Sequence, residues 1–438
     1  MKRDVDSVLL QWKDEIGRLP LLVRGARQVG KSFTVSGFGE KHFDNCVIVN
    51  FEQRPEYGEC FSSIIPDEII ENISIISRQD IVPGKTLLFL DEIQECPRAI
   101  LSLRYFYEQL PELHVIGAGS LLEFALRQDD FRMPVGRIQY LYMKPLSFGE
   151  FLDASGEEKS RELIVRTKPN KPLNPAIHQK LISLVKKYMI LGGMPAVVEE
   201  YLRSGNFNRC SRIQSVITRT YRDDFGKYAA KSKHEYLQKV FLAVPRLVGR
   251  KFKYSHVDSS LRSRELKEAL ELLARAGVVT LVKRTSGAGL PLGAGVNERH
   301  FKVISLDVGL MQNICGAQEE ILLSEDVTKI NAGAIAEQFA GQELLAYRDV
   351  FTEPSLYYWA RESRNSSAEV DYLLVLNSSI LPVEVKSGAT GRLKSIRLFL
   401  EKYPAPAGIR FSQLPFSTIA SIISIPLYAI ESTGYLAV

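Results

Sequence analysis

The run Gly25-Ala26-Arg27-Gln28-Val29-Gly30-Lys31-Ser32 has the form G-x-x-x-x-G-K-[ST], which is the pattern of a phosphate-binding loop. Glycines let the backbone turn tightly, so that successive N–H groups point inward and make a nest for phosphate oxygens. Lys31 adds a point charge for the outer phosphates, and the Ser32 hydroxyl can ligate Mg2+. Residues 33–35 should open a helix whose positive end faces the same phosphates. The structural alternative is an ordinary glycine-bearing strand-to-helix turn, but the surrounding sequence argues against it. An apolar run, Leu21, Leu22 and Val23, feeds into the loop, and a second apolar run over 86–90 ends in the carboxylates Asp91 and Glu92. Ligands collect at the carboxyl ends of such buried parallel strands. Asp91 is expected to hold the magnesium ion with Ser32, and Glu92 to orient an attacking water. ATP and Mg2+ are therefore the expected cofactors.

Two further features bear on the same chemistry. Ser120 closes a strand over 113–118 and could sense a terminal phosphate, or could equally cap the helix that follows. Arg127, Arg132 and Arg137 come next. One of them could reach a γ-phosphate in this chain or, in an oligomer, a neighbour's, with Arg137 the preferred candidate. A solvated surface arginine is the competing reading.

A second constellation lies near the other end of the chain: Glu337, Asp371, Glu384 and Lys386. Asp371 sits in a strand over 370–376, and 382–386 forms the next strand, joined by a turn around 377–379. Alternation puts Glu384 and Lys386 on one face, with Val383 and Val385 directed to the core. Asp371 shares the face of Glu384 only if the turn has two or four residues; a regular three-residue turn would set it opposite Val385. Together they read as D-x(12)-E-x-K, similar to the PD-(D/E)xK nuclease superfamily. That resemblance implies an additional acid from a preceding helix, for which Glu337 is the match and Glu343 the reserve. Glu337, Asp371 and Glu384 would then hold a divalent ion, and Lys386 would stabilise charge on a phosphodiester. The plain alternative is a solvated strand edge.

These groups need elements to carry them. A helix is expected over 4–17, strands over 21–23, 46–51, 86–91, 113–118 and 137–142, and helices over 67–78 and 101–110. Alternating strands and helices predict an α/β domain with a parallel sheet covered on both sides, over 1–155. Residues 156–235 read as a helical linker or lid, in which Gly192 and Gly193 end a helix and 219–228 is a charged helix. Residues 236–305 run helix, helix, hairpin, the order of a winged helix. There Arg262, Arg264, Lys267 and Arg275 could meet DNA phosphates, although Glu265, Glu268 and Glu271 share the helix and such modules also contact proteins. Residues 306–438 complete an α/β domain of restriction-endonuclease type.

Composition leaves these readings open. The chain has 438 residues, 45% hydrophobic and 24% charged, with a net charge of +5, an ordinary globular balance that permits a nucleic-acid partner without requiring one. Five scattered cysteines without a C-x-x-C pair point to free thiols in a reducing compartment. The first fifteen residues carry charge throughout, and no run approaches the ~18 apolar residues of a membrane span. A cytoplasmic protein with no membrane partner is expected.

The segments GARQVGKS, LFLDEIQ, GAGSLLEFAL, GRIQYLYMKPLSFGEFL, LGGMPAVV and YRDDFGKY together resemble a large family of prokaryotic AAA-type ATP-binding proteins. The resemblance spans nearly the whole chain and implies an ATPase core with a five-stranded parallel sheet, fused to a C-terminal region of uncharacterised function. The expected activity is magnesium-dependent ATP hydrolysis linked to DNA through the C-terminal domain. The rival is an ATP-dependent switch whose nuclease-like domain only binds a DNA or protein partner.

Overall fold

Apolar runs that cannot be left in water dictate the first sheet. The computed structural model describes residues 1–120, 136–228, 233–316, 332–361, 368–387 and 393–436, and the chain divides into two compact units. The first unit comprises 1–144 and 349–353. Its strands are β1 (Leu21–Arg24), β2 (Asn45–Asn50), β3 (Thr86–Asp91), β4 (His114–Ala118) and β5 (Gln139–Tyr142), in the spatial order β2-β3-β4-β1-β5. Every pairing is parallel, as the alternation of strands and helices requires. β3 is buried along its whole length, which is why it reads as an unbroken apolar run. Helices α1 (Val5–Asp14), α2 (Lys31–His42), α3 (Pro66–Ser77) and α4 (Pro97–Gln109) accompany the sheet. Pro66 and Pro97 open α3 and α4 at positions where a missing N–H carries no penalty.

The second unit comprises 145–348 and 354–438. A helical part contains Phe148–Ala154, Glu158–Arg166, Pro175–Leu191, Pro195–Ser204, Phe207–Asp223 and His234–Leu247. Helix Ser263–Arg275 precedes the antiparallel pair β6 (Val279–Thr285) and β7 (Val296–Ser305). This is the expected helix-then-hairpin order, but the hairpin is not a free wing. β6 also pairs in parallel with β8 (Leu356–Ala360), giving the sheet β7-β6-β8-β9 with β9 (Glu369–Val370) at its edge. A second sheet runs β10-β11-β12-β14-β13, from β10 (Tyr372–Leu376), β11 (Ser379–Val385), β12 (Gly408–Ser412), β13 (Ser417–Ile419) and β14 (Ile422–Pro426). Asp371 is the single residue between β9 and β10, where the chain passes from one sheet to the other.

Helix Ala332–Ala346 ties this unit together through polar side chains buried on several of its faces. Gln338 exchanges two 2.8 Å hydrogen bonds with the Ser305 backbone. Gln342 accepts the Val308 N–H and donates to the Tyr188 hydroxyl, both at 2.8 Å. Glu343 accepts the Phe148 N–H at 3.0 Å, at the start of helix Phe148–Ala154. That contact, with the Ser147–Glu150 capping box, places residues 145–154 in the second unit, so the first ends near 144. The paired glycines of LGGMP are explained nearby. Gly192 ends helix Pro175–Leu191 with φ of 72°, and a methyl on Gly193 would lie 2.0 Å from the Leu146 carbonyl oxygen. The Gly193 N–H donates to buried Asp307 at 2.7 Å. No helix among the described residues is long and apolar enough to cross a membrane.

Burial pushes the Glu343 carboxyl up to about 8 and that of Asp307 up to about 6. A carboxyl whose folded pKa is raised binds more protons folded than unfolded, so the stability it supports falls as pH rises. For Glu343 the loss begins near the unfolded value of 4.5 and is complete above about 8. Glu343→Gln keeps an acceptor for Phe148 and cannot ionise. Thermal melts of the two proteins at pH 5 and pH 8.5 should show the variant's Tm gaining on wild type by several degrees at the higher pH. A gap independent of pH would show that Glu343 does not titrate in this window.

Candidate functional site

The carboxyl edge of the first sheet gathers most of the residues singled out for nucleotide chemistry. Residues 25–30 leave β1 and turn into α2 through Gly25 at φ 152°, Gln28 at φ 63° and Gly30 at φ 95°. A methyl on Gly25 would sit 2.4 Å from the Met143 carbonyl oxygen, so only glycine fits there. Lys31, the first residue of α2, is 7% exposed and folds back onto its own loop. Its ammonium donates to the carbonyls of Gly25 at 2.9 Å and Ala26 at 2.8 Å. Burial lowers its pKa to about 8, with Glu92 and Asp91 pulling the other way and Arg27 adding to the fall.

Asp91 ends β3 and is buried. One of its oxygens accepts the Ser32 hydroxyl and the other the Asn50 side-chain amide, each at 2.9 Å. Burial raises its pKa, opposed by those two hydrogen bonds and reinforced by Glu92. A serine hydroxyl and a carboxylate side by side are hard oxygen donors suited to Mg2+. Glu92 follows with φ of 49°, and its carboxylate accepts the Gln94 side-chain amide at 2.6 Å. A non-glycine residue held in the left-handed region is a local strain often found at functional positions. Asn50 and Gln94 carry no motif signal; Asn50 ends β2 and lies level with Asp91 across the sheet.

Ser120 lies two residues beyond β4 on this carboxyl edge, and its buried hydroxyl has no partner among the described residues. Arg137 is elsewhere. It precedes β5, which runs parallel to β1, and so stands at the amino edge of the sheet, away from the phosphate loop. There it pairs with Glu108 near the end of α4, at 2.9 Å. The structure does not bring Arg137 to the loop within one chain, because the direction of β5 takes it to the other edge. Arg127, Arg132 and the residues after Ser120 lie outside the described residues.

In the second unit the turn between β10 and β11 has two residues, Asn377 and Ser378, both at positive φ. Tyr372 pairs with Val383, and the same register sets Asp371 opposite Glu384. The carboxylates nonetheless do not form one cage. Glu384 is buried and pairs with Lys386 at 2.5 Å, while its second oxygen has no partner among the described residues. Burial raises its pKa against the pull of Lys386. Asp371 accepts the Val385 N–H at 2.8 Å and turns its other oxygen to Lys302, 3.5 Å away. Glu337 also meets Lys302, at 2.9 Å, as does Glu369 at 2.6 Å. Of the three acids expected to clamp one divalent ion, Glu337 and Asp371 thus face the Lys302 ammonium and Glu384 pairs with Lys386. Among the described residues no group of three or more His, Cys, Asp or Glu is arranged to hold a metal ion. On helix Ser263–Arg275, Lys267 and Arg275 each lie 3.8 Å from the one carboxylate of Glu271, while its Glu268 pairs with Lys233 from outside the helix.

Residues 17–152 match a family model described as an AAA domain. Residues 182–320 and 332–428 match two further models, each described as a domain of unknown function (DUF8612 and DUF4143). No curated protein matches the chain by sequence. Among solved structures it is similar to the Aeropyrum pernix ORC1 protein in complex with DNA, at 14% identity over 73% of this chain and 91% of that one, with a TM-score of 0.28. The replication initiator DnaA bound to AMPPCP and single-stranded DNA is 12% identical over 61% and 85%, with a TM-score of 0.29. The Thermotoga maritima RuvB Holliday junction branch migration motor is 17% identical over 67% and 90%, with a TM-score of 0.26. Scores this low do not establish a shared fold. The parallel five-stranded sheet with its helices fits a P-loop AAA domain, in keeping with the family match over 17–152.

Gly25→Ala tests the loop itself. The added methyl meets the Met143 carbonyl oxygen, and alanine disfavours φ near 152°. Titration with a fluorescent ATP analogue should show affinity falling at least ~10-fold, about 1.4 kcal/mol. Unchanged affinity would mean that the loop does not cradle phosphates.

Proposed function

We propose that the first unit binds and hydrolyses ATP and that nucleotide state governs how the second unit engages DNA. One observation carries the first half: the Ser32 hydroxyl is bonded to Asp91 directly beside a loop whose lysine is buried on its own carbonyls. In this reading the backbone of 25–32 and Lys31 hold the phosphates, Lys31 exchanging the Gly25 and Ala26 carbonyls for phosphate oxygens. Ser32 and Asp91 would hold Mg2+, which when bound neutralises phosphate charge. Glu92, fixed by Gln94, holds the attacking water and takes up its proton, and Ser120 supplies a hydroxyl toward the terminal phosphate. The bond to Ser32 keeps the Asp91 oxygen pointed at the loop before nucleotide arrives.

The D-x(12)-E-x-K pattern, with Asp371 set opposite Glu384, supports an α/β fold of restriction-endonuclease type for the C-terminal part and hence DNA as its partner. Whether it cuts or only binds separates two readings. The commitment of Glu337 and Asp371 to Lys302 favours binding without cleavage, with the ATP cycle acting as a switch.

Lys31→Ala should abolish ATP binding while circular dichroism and Tm stay near wild type; retained affinity would refute the site. Glu92→Gln should bind ATP normally and lose ~10²–10⁴-fold in turnover, the usual worth of a positioned general base. For the second unit, labelled branched and single-stranded DNA should be retained by the protein and left uncut in Mg2+, with and without ATP. Cleavage that disappears in both Glu384→Ala and Lys386→Ala would establish the nuclease reading instead.

A further inference from the structure

Lys302 lies in β7 with 1% of its side chain exposed, among the most enclosed charges in the second unit. Three carboxylates from separate places in the chain converge on its ammonium. Glu337 comes from helix Ala332–Ala346 at 2.9 Å, Glu369 from β9 at 2.6 Å, and Asp371 from the β9–β10 junction at 3.5 Å. The ring of Tyr358 in β8 closes another side, its centroid 5.3 Å from the nitrogen. An ammonium has three N–H donors and no acceptor, so three carboxylate oxygens match it one for one. The Glu337 and Glu369 separations are those of charge-assisted hydrogen bonds, and Asp371 stands farther off at 3.5 Å; the Glu337 and Asp371 distances exceed the ~2.0–2.6 Å at which Mg2+ or Ca2+ sits from oxygen. A divalent ion at the centre of the three acids would have to occupy the volume the ammonium fills.

We infer that Lys302 is the resident cation of this carboxylate cluster, standing in for a divalent ion, so that the wild-type centre takes up no metal and removal of the lysine turns it into a metal site. The inference deepens the reading that the second unit engages DNA without cutting, and names the group responsible. Glu337 is buried on helix Ala332–Ala346, beside Gly249, where an added methyl would fall 3.1 Å from its oxygen. Asp371 is fixed through its second oxygen to the Val385 N–H. Asp371 thus keeps one anchor that does not depend on the lysine.

The experiment is a Mn2+ titration of the nucleotide-free full chain, followed by electron paramagnetic resonance. Wild type and Asp371→Asn should give the same binding curve. Lys302→Met should gain one further Mn2+ per chain, lost again when Asp371→Asn is added. In chelator Lys302→Met should melt several degrees below wild type, and Mn2+ should restore it while leaving wild type unmoved. Should Lys302→Met fail to fold, Lys302→Met with Glu337→Gln, which removes a charge of each sign, takes its place in the same titration. A wild-type Mn2+ site that vanishes in Asp371→Asn overturns the inference outright. Absence of a new site in the lysine-free variants, with wild-type DNA still uncut, overturns the inference and leaves the non-cutting reading standing. Magnesium-dependent cutting by wild type overturns both.

Discussion

A lysine ammonium taken out of water has to be met by oxygen on every side it can donate to. Left unmet, its burial is prohibitive and the group loses its proton instead. Both units of this chain contain such a lysine, and much of their local architecture can be read as the answer to it. Lys31 is met mainly by backbone carbonyls of its own loop, and Lys302 by three side-chain carboxylates. The two answers have opposite electrostatic signatures. At Lys31 burial dominates and the pKa falls to about 8. At Lys302 burial pulls the same way, but Glu337, Asp371 and Glu369 overcome it and hold the group protonated well above its ordinary range.

Meeting Lys302 requires bringing together acids 35 to 69 residues away in sequence. The chain manages this with helix Ala332–Ala346, whose buried polar residues serve separate ends. Glu337 faces the lysine; Gln338 and Gln342 take the backbone where β7 ends and the next helix begins; Glu343 takes the start of helix Phe148–Ala154. Each bond from Gln338, Gln342 and Glu343 satisfies a backbone N–H that would otherwise cost ~1–3 kcal/mol. The helix therefore fixes the carboxylate cluster and the register of the elements around it in one step. Polar satisfaction of this density also specifies one arrangement over others, since a shift of a single residue would orphan several groups together.

Features encoded by neighbours in sequence were legible, and those created by convergence were not. The phosphate loop could be read because its backbone demands glycine where φ is positive or another carbonyl approaches, as at Gly25. The inner strands of the first sheet were legible because burial on both faces leaves apolar runs, Thr86–Asp91 above all, while the edge strands β2 and β5 are only partly buried. The even turn was legible as a condition on register, and the two-residue turn at Asn377 and Ser378, with Tyr372 paired to Val383, meets it. Nothing around Lys302 marks it: VNERHFKVIS reads as a strand with an ordinary alternating lysine. Its partners are chosen by tertiary packing, and the same convergence diverts Glu337 and Asp371 from Glu384. Arg137 stands away from the loop of its own chain, since proximity in sequence to a functional strand says nothing of which edge of a parallel sheet a residue occupies.

The contrast between the two lysines has a mechanical consequence. Carbonyl oxygens carry partial charge, so on the proposed reading an anionic phosphate would compete well for Lys31. Carboxylates carry full charge, and withdrawing Lys302 from them would leave three like charges confined together at a penalty of several kcal/mol. A weakly held lysine beside a phosphate nest is therefore an exchangeable partner, whereas a lysine locked by three acids is a fixed part of the framework. In the first unit the resting arrangement is poised to change when a ligand binds. In the second the arrangement resists change, because its cation is held by full charges and not by carbonyl dipoles.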